Sequence, residues 1–149
     1  MFWNKKKKVS LEELELSKQC QEEAEMLFST GKYHCAEAVL EVSRRHFAPY
    51  LPESIVGSVS GFGGGSGTGC ICGAVSGGTV ALGLVLSDKK VSTRLTKDLH
   101  VWFKEKYGVT CCKTIRKTHK GTCRALTGDV AWKIAEMLES KSTENTNIG

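Results

Sequence analysis

The sequence predicts an all-α protein, a single-domain bundle of about five or six helices with a glycine-rich loop. Apolar residues recur at helical spacing in four separate stretches. No stretch sustains the apolar–polar alternation of a strand. The length, 149 residues, suits one domain with a real core, and 25 % charged against 40 % hydrophobic residues is the balance of a soluble globular chain.

Residues 1–9 form a basic N-terminal segment with Lys5 to Lys8; no apolar run comes after these charges, so neither a signal peptide nor an anchor is expected. Ser10-Leu-Glu-Glu13 fits a capping box, and Leu11, Leu14, Ala24, Leu27 and Phe28 predict the apolar face of a first helix ended by Gly31. A second helix is expected from Tyr33 to about His46, burying Cys35, Ala38, Val39 and Val42. Pro52 suits the first turn of a short helix through Val59.

From Ser54 to Ser87 there are 34 residues without a charge, 11 of them glycine. The apolar part, Ile71 to Leu86, is too short and too interrupted by small and polar residues to span a bilayer, which predicts a buried helix, with a homodimer contact as one use for it. Leu95, Leu99, Trp102, Phe103 and Tyr107 predict a helix closed by Gly108. Residues 109–126 read as a cysteine-bearing connector, and Thr127 as the cap of a last helix with Val130, Ile134, Met137 and Leu138 inward. Residues 10–139 are thus the helical domain, and the polar residues 140–149 a flexible tail.

The glycine loop, residues 61–69, does not match a phosphate-binding pattern. Cys70 stands where a P-loop requires lysine after its glycine, and no G-x-G-x-x-G spacing occurs. The loop leads instead into sulfur. Cys70 and Cys72 lie at or just before a predicted helix N-terminus, where free N–H groups favour thiolate. Cys111 and Cys112 are adjacent, and Cys123 comes eleven residues later. These three sit in the window Lys89–Arg124, with 11 Lys/Arg against two acids. Such cations attract nucleic acid, a membrane surface or acidic partners, and near a thiol they favour its anion. Seven cysteines in a chain expected to be cytoplasmic point to metal or redox chemistry rather than structural disulfides. Cys20 has no such company and reads as structural. No C-x-x-C is present, which removes the usual thioredoxin signature and disfavours a structural zinc site.

Five pieces together resemble the family of redox-active proteins named for its C-GCAxxG-C-C cysteine pattern: the helix Tyr33-His-Cys35-Ala-Glu-Ala-Val-Leu40, the loop Gly61-Phe-Gly-Gly-Gly65, the core Cys72-Gly-Ala-Val-Ser-Gly77, Cys112-Lys-Thr-Ile and Cys123-Arg-Ala-Leu. The resemblance runs from about Tyr33 to Leu138 and carries the family's four cysteines onto Cys35, Cys72, Cys112 and Cys123 as cofactor-binding residues. Members resemble the iron–sulfur domain of split-Soret cytochromes, which is helical and dimeric. The resemblance therefore implies an iron–sulfur cluster, and the dimeric relative makes a homodimer expected; the chain is read as an electron carrier for a redox partner protein or small electron donor or acceptor, with no nucleic acid partner and no membrane span. Cys70 and Cys111 are additions to the four and are candidate further metal ligands. Metal-free thiol–disulfide exchange through Cys70/Cys72 or Cys111/Cys112 stays open, as does structural zinc. The family supplies a class and not a reaction.

Overall fold

The computed structural model describes residues 10–148, with side chains through 141; the expected basic segment 1–9 and the side chains of the expected tail from 142 onward lie outside the described residues. Six α-helices and one 3₁₀ helix, seven helices rather than five or six, make the fold: α1 (Leu11–Ser29), α2 (Cys35–Phe47), the 3₁₀ helix (Glu53–Phe62), α3 (Gly73–Val85), α4 (Lys89–Tyr107), α5 (Cys112–Thr118) and α6 (Cys123–Ile148). Between the 3₁₀ helix and α3 the glycine loop makes a π-type turn over Gly65–Gly69, with left-handed Ser66 and Gly67 inside it. No strand forms among the described residues; one antiparallel bridge pairs Ile71 with Cys111.

The caps are chemical. Ser10 accepts from the Glu13 N–H while Glu13 reaches back to the Ser10 N–H, closing the expected capping box. Asp88 accepts from the N–H groups of Lys90 and Val91 and opens α4; Gly108, at φ 87°, closes it. Pro52 precedes the 3₁₀ helix as its cap rather than standing in its first turn.

The uncharged helix α3 is the centre of the bundle, with α2 packed along it and α4 and α6 against its other faces. Ala74, Val75, Ala81 and Leu82 are buried there with Leu99 and Phe103 of α4 and Val130 and Ile134 of α6. Its glycines set the approach distance. A Cβ at Gly77 would stand 2.5 Å from the Ala36 carbonyl oxygen, so α2 lies backbone to backbone on α3 at this point. No described helix is long and apolar enough to cross a membrane.

Three expectations need correcting. Leu11 and Leu14 do not face the core (Leu11 is 84 % exposed); α1 buries Ser17, Cys20 and Ala24 against α6 instead. Small residues on that face let the two helices approach closely. Residues 109–126 are not merely a connector, since α5 and the first turn of α6 form within them. Thr127 accordingly caps nothing: it is buried in α6, its hydroxyl donating to the Cys123 carbonyl at 2.7 Å. Gly128 beside it lies within α6, where α1 packs over it, with Glu25 Cγ 2.6 Å from where a Cβ would be.

Candidate redox site

Four cysteines reach one region from four elements. Cys35 begins α2, Cys72 caps α3, Cys112 begins α5 and Cys123 begins α6. Helix starts are placed here by short pairings. The Cys72 N–H donates to the Thr110 carbonyl at 2.8 Å and the Cys112 N–H to the Cys70 carbonyl at 2.5 Å, flanking the Ile71–Cys111 bridge and tying α5 to the head of α3.

Glycine makes room for the sulfurs. A Cβ at Gly73 would stand 2.5 Å from Cys35 Sγ and 2.8 Å from the Phe62 carbonyl oxygen. At Gly65, with φ 65°, it would stand 2.7 Å from Cys112 Cβ and 2.6 Å from the Cys70 nitrogen. Only glycine fits these two positions, one for lack of space and the other also for its backbone conformation.

The thiols sense each other. A charge on Cys112 or Cys123 disfavours ionisation of Cys35, one on Cys35 or Cys112 disfavours that of Cys72, and one on Cys123 does the same to Cys112. Five of the six possible pairs among the four are therefore coupled. Among the described residues, no three His, Cys, Asp or Glu side chains are grouped tightly enough for a single metal ion. Cys20 stands apart, buried with Ala24, Val42, Ala131 and Ala135 in a second core cluster.

Burial dominates the inner thiols and corrects the expectation of ready thiolates. Cys35 is pushed up to about 11, chiefly by burial, and Cys72 up to about 12 by burial and then by Cys35. The helix-start N–H groups of Ala74 and Val75 do favour the Cys72 anion, but less than its loss of water disfavours it. Burial also raises Cys112, opposed by the guanidinium of Arg116. Such thiols are poor nucleophiles at neutral pH, whereas a bound metal displaces their protons. Cys111 differs. The Thr114 hydroxyl and N–H donate to it and hold its thiol below the ordinary range. Its own S–H donates to the Gly69 carbonyl, with Sγ 3.4 Å from the oxygen, and neighbouring Cys70 is exposed.

Sequence reasoning gave no role here to Tyr107. Its hydroxyl, raised by burial, then by its bond to Asp129, and also by Cys72, donates to Asp129. Its ring lies 5.7 Å edge-on from His119. Its place at helical spacing from Phe103 marked it as core, and nothing in the local sequence distinguishes a core tyrosine from one lining a thiol site.

The donor set and its cradle suit a soft, thiolate-bound group. No curated protein and no solved structure gives a significant match to the chain. A family model described as "Putative redox-active protein (C_GCAxxG_C_C)" matches residues 33–137, which include α2 through nearly all of the described side chains of α6 and all four converging cysteines. The chain belongs to this redox-active family.

Proposed function

We propose that Cys35, Cys72, Cys112 and Cys123 hold an iron–sulfur cluster and that the protein carries electrons through it. The observation that carries this reading is that four separate helix starts bring Cys35, Cys72, Cys112 and Cys123 together beside a glycine cradle, with the ionisation of Cys35, Cys72 and Cys112 each disfavoured by a charge on another of the four. Bound there, such a cluster supplies one-electron transfer at a potential tuned by burial and nearby charge. The chain's own part is to keep water from Cys72, to offset thiolate charge with Arg116 and to leave space at Gly65 and Gly73. Cys70 and Cys111 flank the four as outer thiols.

A second reading has its own observation. Cys111, with a lowered thiol, and exposed Cys70 would serve metal-free thiol–disulfide exchange. Purification without oxygen separates the readings. The proposal expects a brown protein containing iron and acid-labile sulfide. A colourless protein with stoichiometric zinc would mean a structural metal site, and a metal-free protein with reversible disulfides would mean thiol exchange.

A further inference from the structure

The solvent side of the cysteine site carries a charge arrangement that electron transfer alone does not require. Lys113, Arg116 and Lys117 of α5, Lys120 in the turn after it and Arg124 in the first turn of α6 are all exposed. None of the five forms an ion pair with a carboxylate among the described residues. No acid occurs in the sequence between Glu105 and Asp129, and Asp129 is engaged by Lys106 at 3.1 Å. The opposite wall of the site is the uncharged glycine loop, so nothing there neutralises the field. Lys113 packs directly on this loop, its Cβ 2.9 Å from where a Cβ of Gly69 would be, and the Arg116 guanidinium favours the Cys112 thiolate.

The loop surface beside Lys113 is apolar and bare. Ile71, paired with Cys111, is 45 % exposed, unlike most large apolar side chains of the bundle. Gly64 and Gly67 are exposed, and a Cβ at either would meet nothing within 4 Å. An apolar centre with a charged rim is the anatomy of a transient protein interface. Small residues over a redox centre let a partner's own centre come close, and unpaired charges speed and orient the encounter.

We infer that Ile71, the glycine loop and the rim of Lys113, Arg116, Lys117, Lys120 and Arg124 form the docking surface for an acidic electron-carrier protein. The inference rests on the redox reading above and adds the class of partner. Nucleic acid fits less well. Residues 108–126 contain no Phe, Tyr or Trp to stack bases, and His119 is already engaged edge-on with Tyr107. A single exposed isoleucine is too little to insert into a bilayer.

The test uses flavodoxin, a small acidic electron carrier, as the probe. Its binding to the full chain is measured by calorimetry, on metal-free and iron-loaded protein alike. Wild type is compared with the triple variant Lys113→Glu/Lys117→Glu/Lys120→Glu and with an equal charge change on α4, Arg94→Glu/Lys97→Glu/Lys104→Glu. Raising salt from about 20 mM to about 300 mM, and the α5 triple variant, should each weaken binding at least about ten-fold, while the α4 variant changes it less than about two-fold. Equal loss in both variants, or binding indifferent to salt, would overturn the docking surface. So would tighter binding of a 20-mer oligonucleotide or of phosphatidylserine vesicles than of flavodoxin, abolished by the α5 variant. Failure of iron to load counts against the redox reading, whereas loss of flavodoxin binding in iron-loaded protein counts against the docking surface alone.

Discussion

Gly77 and Gly83 lie in the same helix, and their surroundings predict opposite outcomes for the same substitution. At Gly77 an added methyl meets backbone, with the Ala36 Cα 2.7 Å and its carbonyl oxygen 2.5 Å away. Backbone cannot swing aside, so Gly77→Ala should push α2 off α3 and cost about 1–3 kcal/mol. At Gly83 the nearest atom is Ser92 Oγ at 3.9 Å, an ordinary contact, so Gly83→Ala should raise stability by about 0.5–1 kcal/mol through helix propensity. Paired denaturant melts check both signs. At this scale the sequence was legible in kind only. Dense glycine announced a close approach, but which glycine faces backbone and which faces space depends on partners far along the chain. Glu41 shows the same limit. Its place in an apolar face gave no warning of a fully buried carboxylate, which Arg44 holds at 2.6 Å and Arg45 at 3.3 Å from the next turn.

Three helices meet at Asp129, a junction made by side chains. Gln21 of α1 donates to its Oδ1 at 3.0 Å, while Lys106 at 3.1 Å and the Tyr107 hydroxyl, both of α4, reach its Oδ2. Asp129→Ala should cost about 2–3 kcal/mol, because it strands a partly buried phenol and amide together. Asp129→Asn, which keeps one acceptor, should cost less, and chemical denaturation of the two variants measures the difference. Elements were the most legible level. The periodic stretches became α1, α2, α4 and α6, and the uncharged run became a buried helix. The misses share a cause. α5 has only seven residues, too few to show a period, and the start of α6 was missed because Thr127 reads as a cap although its hydroxyl serves the Cys123 carbonyl inside the helix.

For the molecule as a whole, the fold brings the thiol-bearing starts of α2, α3, α5 and α6 together. Cys35 and Cys123 are 88 positions apart (123 − 35), yet a charge on Cys123 disfavours ionisation of Cys35, because both begin helices that meet at the same end of the bundle core. That convergence was readable only through the family pattern. Spacing along the chain carries no signal for it, and Cys20, also buried, differs from Cys72 in surroundings rather than in sequence type. The central claim is that the four converging cysteines share one cofactor to which Cys20 contributes nothing. Its most direct test is the iron and acid-labile sulfide content per chain, with the visible spectrum, of Cys72→Ser and Cys20→Ser purified without oxygen. Serine keeps the size of the side chain and removes the soft ligand, so Cys72→Ser should retain less than about a tenth of the wild-type iron, while Cys20→Ser retains all of it with an unchanged spectrum. Full iron in Cys72→Ser, or a bleached Cys20→Ser, would contradict the account.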